Sequence, residues 1–475
     1  MGVKTVADDK YMDPDHIRDL FSRGMSSMYQ AEVPLYGDLL TLVASINEQK
    51  AKEQLTDISE QARLSVERHG AIRVGTPEEL ALFTRLFVIM GMQAVGYYDL
   101  TTAGVPVHST AFRPISEAAL ASNPFRIFTS LLRLELISDV ALREQAKQIL
   151  AKRDIFTERL RELITLCEQQ SGLTHAQAHD FVGEALHTFR WHALANVDLA
   201  TYQALHQAHP LIADVVCFQG PHINHLTPRT LDIDAAQQQM IKSGMDTKAH
   251  IEGPPTRHCP ILLRQTSFKA QAETIRFADG HEGVHSARFG EIEQRGAALT
   301  TKGRALYDAL LVKAGEDIQE RSTDAYQDHL RAVFSAFPDT WQQLHAQQLA
   351  FFYYHLTSTG QAAQGRYTPD TLPDAQTLVN EGLLSITPII YEDFLPVSAA
   401  GIFQSNLASH TFIPPSDRAN SLVLDTETAM RCISQSQLEF ERALGQKIIE
   451  PNYLYAQQMH QSFQAATAYL MGIKH

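Results

Sequence analysis

The residues of this chain best suited to chemistry fall in three short stretches, RHGAIRVG, HLTPR and GEIEQRG, each with the alternation of a β-strand. A strand repeats every two residues, so His69 and Arg73 project from one face of the first, His225 and Arg229 from one face of the second, and Glu291, Glu293 and Arg295 from one face of the third. Two neutral imidazoles and one carboxylate form the ligand set that grips Fe(II) on one side and leaves three adjacent coordination positions open. An arginine beside such an ion can hold a carboxylate through paired hydrogen bonds. Taken singly, a strand histidine is most often a satisfied core residue and a strand glutamate a solvated one. The combination tells more, because His69-Gly-Ala-Ile-Arg73 and His225-Leu-Thr-Pro-Arg229 both spell H-x-x-x-R ahead of a helix. Two duplicated units facing each other would bring the three strands around one cavity. Alternation alone does not choose between Glu291 and Glu293.

Competing motifs are weaker. His281-Glu-Gly-Val-His285 matches the H-E-x-x-H of zinc proteases, which works only on a helix that stacks residues four apart. Gly280 and Gly283 interrupt such a helix, and SARFGEIE behind it alternates like a strand, so no zinc site is expected there. The chain contains no G-x-S-x-G, P-loop or G-x-G-x-x-G, which removes the usual marks of hydrolase, nucleotide and dinucleotide chemistry. Cys167, Cys217, Cys259 and Cys432 share no metal-like or redox-like spacing and read as reduced thiols packed as small hydrophobes. His258, next to Cys259, reads as structural.

The elements that must position these residues follow from periodicity. Residues 1–62 have helical spacing. Residues 63–136 read as a β-α-β-β module, with the strand RHGAIRVG, the helix TPEELALFTRLFVIMG and the strands QAVGYYDL and VHSTAFRPI. In that helix Thr76 can cap, Pro77 suits the first turn, Glu79 completes a capping box and Gly91 can stop the helix. Residues 137–212 form a helical insertion. Residues 213–299 repeat the design, from INHLTPRT through the helix DIDAAQQQMIKSG to the strands PILLRQTSF, ETIRFA and SARFGEIEQRG. Residues 300–380, including WQQLHAQQLAFFYYHL, read as helical, and 381–475 as a strand segment around Pro396 that closes the pocket, followed by helices. The expected class is α+β, two modules forming a central sheet around a metal site, with large helical insertions and helical termini.

Composition sets the outer bounds. With 44% hydrophobic and 20% charged residues the chain is globular rather than disordered or fibrous. A net charge of −14 without a basic patch repels phosphate backbones and anionic lipid, so no nucleic acid or membrane partner is expected. The longest apolar run, near Leu86–Met92, is far short of the roughly 20 residues of a spanning helix. The first residues lack the apolar core of a secretory signal, so a cytoplasmic location is expected.

RHGAIRVG, INHLTPR, the IEGPP of Ile251–Pro255 and above all ARFGEIEQRG followed by ALT resemble the 2-oxoadipate dioxygenase/decarboxylase family, itself similar to the vicinal-oxygen-chelate superfamily, over most of the chain. The resemblance implies an Fe(2+) cofactor on His69, His225 and Glu293, and so selects Glu293 over Glu291. It implies substrate contacts from His69 and Arg73, and, through the backbone, from Val397 and Ser398. The reaction implied is that of a 2-oxo diacid, 2-oxoadipate foremost, with O2, giving 2-hydroxyglutarate and CO2 as in lysine degradation. Two alternatives keep parts of this picture: a non-redox, glyoxalase-like lyase or isomerase using Zn(II) or Ni(II), which would consume no oxygen, and a binding protein that retains an organic acid without turnover.

Overall fold

The computed structural model describes residues 10–54, 58–315, 323–395 and 426–473. At its centre the first module supplies β1 (Arg68–Val74), the helix Pro77–Ile89, β2 (Gln93–Asp99), β3 (Val107–Arg113) and β4 (Arg126–Leu132). The second supplies β5 (His225–Pro228), the helix Ile233–Lys242, β6 (Leu263–Ser267), β7 (Gln271–Arg276) and β8 (Glu282–Arg295). These strands form one sheet in the order β2-β3-β4-β1-β5-β8-β6, with β7 also paired to β8. β1 runs parallel to β4 and β5 parallel to β8, and the two halves meet where β1 and β5 pair antiparallel. The α+β class and the duplicated architecture are therefore as expected.

The modules are β-α-β-β-β, one strand longer than the pattern read from the first. The missing strand, β4, is RIFTSLL, whose seven residues are all buried. A strand covered on both faces loses the polar alternation that marks strands in a sequence. A second departure lies at WQQLHAQQLAFFYYHL, where the helix stops at Trp341–Ala346, Gln348 takes φ 56°, and Phe352–Leu356 forms β9, paired antiparallel with β10 (Leu384–Pro388). The aromatic run fits a pleated surface better than a helix, and it wins over the helical spacing before it. The strands expected around Pro396 lie outside the described residues.

Local signals position the first module as its sequence implies. Thr76 Oγ1 accepts from the Glu79 N–H at 3.2 Å, starting the Pro77–Ile89 helix. Glu79 reaches back one residue further than a capping box requires, accepting from the Gly75 N–H at 2.7 Å and from both ends of the Arg153 guanidinium. Leu82, Phe83, Leu86, Phe87 and Met90 are buried, and Gly91 ends the run at φ 67°, a conformation glycine adopts without penalty. His281 immediately precedes β8 and Glu282 to His285 begin it, so the motif lies on a strand and not on a helix. Cys167, Cys217 and Cys259 are free thiols, and the Cys432 side chain lies outside the description. No helix among the described residues is long and apolar enough to cross a membrane.

The sheet divides two apolar clusters. Ile72 and Val74 of β1, with Ile127 of β4 and Leu226 of β5, pack with Phe21, Met25 and Tyr29 of the helix Pro14–Glu32. The opposite face of β1 carries His69, Ala71 and Arg73. Tyr29 couples helix to site strands, since its hydroxyl lies 2.7 Å from Phe289 O on β8 and 3.0 Å from Asn224 O just before β5. Tyr29→Phe removes that donor from a fully buried position and is expected to cost about 1–3 kcal/mol in urea-unfolding free energy with secondary structure unchanged. An unaltered midpoint would show that this link does not hold the site strands.

Candidate metal centre

Strand register builds the centre. His69 stands between Arg126 of β4 and Thr227 of β5, and Ala71 opposite His225, which stands beside Phe289 of β8. β8 then brings Glu291 and Glu293, paired with Ser267 and Gln265 of β6. His69 Nε2 lies 3.0 Å, and His225 Nε2 3.7 Å, from Glu291 Oε2. The donor atoms of His69, His225 and Glu291 all lie within 4.8 Å of one another, and all three residues are buried. Ligands at right angles about 2.1 Å from one ion sit about 3 Å apart, so this spacing suits a first-row metal.

Glu291 is prepared on one side only. Its Oε2 accepts from Thr227 Oγ1 at 3.0 Å and Gln265 Nε2 at 2.9 Å, while its Oε1 and His225 Nδ1 have no hydrogen-bond partner among the described residues. A buried carboxylate oxygen without a partner is costly unless a cation completes it. Burial raises the Glu291 carboxyl, but His225 and His69 outweigh it and hold it below the ordinary value. Burial pushes His225 down to about 3, so its imidazole is neutral and keeps a lone pair to donate. His69 is the exception. Burial lowers it, but Glu293 and Glu291, one facing each ring nitrogen, raise it above the ordinary imidazole value.

Of the expected ligands, the structure thus brings His69 and His225 together, with Glu291 rather than Glu293 as the third member of the donor group. Glu293 Oε2 lies 2.9 Å from His69 Nδ1, and its two oxygens accept from Arg295 Nε and Nη2 at 2.8 and 2.9 Å. The Arg295 fork holds this carboxylate at the Nδ1 side of His69, while Glu291 faces Nε2. Arg126 Nη1 approaches the same carboxylate at 4.0 Å. Both glutamates occupy the expected face, and the ion pair separates them.

Arg73 is buried on the face of His69, and its Nη1 lies 2.5 Å from Asp214 Oδ2. It is close enough to His225 to help lower that imidazole's pKa. Arg229, its counterpart in the repeat, turns instead to Glu67 at 3.0 Å and Glu60 at 2.9 Å, a structural role. Val397 and Ser398 lie outside the described residues. The chain leading to them covers the site: Phe394 packs edge-on to His69 at 5.0 Å, and Arg295 Nη1 donates to Tyr391 O and Asp393 O. A second buried group, Asp214, His222 and His285, has the same two-histidine, one-carboxylate composition. Its members come from a helix, a loop and the start of β8, and no spacing in the sequence links them.

Known proteins resemble this chain along most of its length. The model of the family described as 2-oxoadipate dioxygenase/decarboxylase matches residues 21–406. Proteins of that name from Shigella flexneri and Pseudomonas putida are 55% and 54% identical to this chain, over 93% and 96% of its length and 95% and 97% of theirs. The crystal structure of the hydroxyglutarate synthase in complex with 2-oxoadipate from Pseudomonas putida superposes with a TM-score of 0.84 at 51% identity, covering 97% of this chain and 99% of the other.

The electrostatics give a test of the centre that needs no turnover. A metal on His69 must displace the proton that Glu291 and Glu293 stabilise there, whereas His225 is already neutral. Calorimetric titration of the metal-free protein with a divalent ion is therefore expected to show affinity rising with pH until His69 has lost its proton, with about one proton released per ion bound below that point. An affinity independent of pH across that range would remove His69 from the ligand set.

Proposed function

This chain belongs to the 2-oxoadipate dioxygenase/decarboxylase family, and from that membership we propose that it converts 2-oxoadipate and O2 to 2-hydroxyglutarate and CO2 at an Fe(II) held by His69, His225 and Glu293. The observation that carries the reading is the pair of buried imidazoles on neighbouring strands of the two modules, facing carboxylates on a third. Bound Fe(II) supplies the open positions at which a 2-oxo acid chelates and dioxygen is reduced. The reaction balances without a cosubstrate. C1 leaves as CO2, the C2 carbonyl takes one oxygen atom to become the carboxylate of the shortened acid, and the other oxygen atom hydroxylates the adjacent carbon.

The residues of the chain divide the remaining work. His225 offers a neutral lone pair, and His69 does so once its proton is displaced. Arg73 presents its planar guanidinium, held by Asp214 at Nη1, to an anionic substrate on the same strand face as His69. Val397 and Ser398 are assigned the distal carboxylate through their backbone N–H groups, on the family resemblance. Phe394 against His69, Phe289 stacked on His225 at 4.8 Å, and Phe128 against Phe394 at 5.1 Å form an apolar wall that keeps water from the reacting atoms.

A second reading, with Glu291 as the carboxylate ligand and Glu293 orienting His69, is favoured by the donor spacing and by the partnerless Glu291 Oε1. Metal analysis and oxygen uptake separate the two. The Fe(II)-loaded enzyme given 2-oxoadipate is expected to consume O2 in step with CO2 release and the formation of a hydroxy acid one carbon shorter. Glu293→Gln is expected to lose bound metal and oxygen uptake, and Glu291→Gln to retain its metal with affinity weakened about 10- to 100-fold. The reverse pattern transfers the ligand role to Glu291, and iron-loaded protein that takes up no oxygen with any 2-oxo diacid refutes the dioxygenase assignment.

A further inference from the structure

Arg73 is anchored in a second buried cluster that the metal centre does not use. Its Nη1 meets Asp214 Oδ2 at 2.5 Å, and Asp214 Oδ1 faces His285 Nε2 at 3.0 Å and His222 Nε2 at 3.2 Å. The Tyr202 hydroxyl lies 2.9 Å from His285 Nδ1. One proton arrangement satisfies this chain: Tyr202 O–H donates to His285 Nδ1, His285 Nε2–H donates to Asp214 Oδ1, and Arg73 Nη1–H donates to Asp214 Oδ2. The parts come from the helix Leu199–Ala208, the helix Pro210–Val216 and the first residues of β8, so Asp214 links the insertion between the modules to Arg73. Burial raises the Asp214 carboxyl, but Arg73 and the two histidines outweigh it and keep it well below the ordinary value, so it remains an anion.

We infer that Asp214, held by His285 and Tyr202, is a positioning residue that fixes the guanidinium plane of Arg73 before substrate arrives. The inference rests on the reading of Arg73 as the substrate-binding arginine. A long arginine side chain loses rotamer freedom when it grips a carboxylate, and a partner that orders it beforehand removes that cost from binding. Its effect therefore belongs in KM more than in kcat. The same two-histidine, one-aspartate set could hold a divalent ion in another setting. Here the Arg73 cation already sits on the carboxylate, and it repels a second cation at that place.

The test is steady-state oxygen uptake by the full-length Fe(II)-loaded enzyme with 2-oxoadipate, together with metal content per chain. Asp214→Asn is expected to raise KM about tenfold, the usual scale for a lost charge-assisted hydrogen bond, with a much smaller change in kcat and metal content unaltered. Tyr202→Phe, which removes only the hydroxyl at the far end, is expected to raise KM in the same sense by a few-fold, and it carries the test if Asp214→Asn does not fold. In an Arg73→Gln background, itself raised in KM, Asp214→Asn is expected to add nothing, the signature of a residue acting through another. A raised KM in Arg73→Gln with unchanged KM in Asp214→Asn and Tyr202→Phe overturns the positioning role alone. Unchanged KM in Arg73→Gln removes the substrate arginine and the inference with it. Two metal ions per wild-type chain, falling to one in Asp214→Asn, would make the cluster a metal site and overturn the inference as well.

Discussion

Two buried carboxylates, Glu291 and Glu293, stand two residues apart on one strand, and their confinement shapes everything around them. Neither can stay ionised in an apolar interior without compensation, and leaving one buried charge unpaired costs about 3–5 kcal/mol. The fold answers them differently. Glu293 receives the full fork of Arg295, whose Nη1 also ties down the chain at Tyr391 and Asp393. Glu291 receives only neutral donors and the imidazoles, which leaves its second oxygen for a cation. Behind Glu293 the compensation spreads to Glu67, which gathers Arg63, Arg126 and Arg229. Arg126 shows how tightly this is balanced: burial and the neighbouring Arg295 push its pKa down to about 9 despite Glu67 and Glu293.

The duplicated architecture supplies the two imidazoles, and departures from the duplication supply the chemistry. β1 and β5 occupy equivalent places, each parallel to the last strand of its own module, and meet antiparallel at the seam. His69 and His225 therefore converge by symmetry. Arg73 and Arg229 share the same spacing but not the same fate, because β5 ends at Pro228 and Arg229 swings to Glu67, while β1 continues and carries Arg73 along the site face. The acids come from β8 alone. A symmetric scaffold thus holds an asymmetric site, with both acids on β8 and the arginine of the site face on β1.

This division explains what could be read in the sequence. The face-sharing of His69 with Arg73, and of Glu291, Glu293 and Arg295, follows from alternation and needs no tertiary knowledge. The separate roles of the two glutamates do not follow, since both lie on one face and only the folded Arg295 pair tells them apart. β4 escaped because burial on both faces erased its pattern, and FFYYHL was masked by the helical residues before it. Asp214, His222 and His285 were beyond reach for another reason. They are joined only by the packing of the inserted helices on the sheet, and the sole motif touching them, H-E-x-x-H, pointed to a chemistry its strand setting forbids.

The charge pattern also bears on how the site would fill. With His225 neutral, the metal-free centre holds Glu291 and Glu293 against the Arg295 guanidinium and the proton on His69, and Arg73 is paired with Asp214. Such a pocket has no positive charge to spare for a dicarboxylate, and the chain's net charge of −14 adds a general repulsion. A divalent ion that took the place of the His69 proton would give the site net positive charge, and in a buried site that gain would be weakly screened. Metal binding would therefore also favour a carboxylate beside Arg73, whose own charge is already engaged by Asp214. The arginine would confer orientation, and the metal the positive charge that favours the anion.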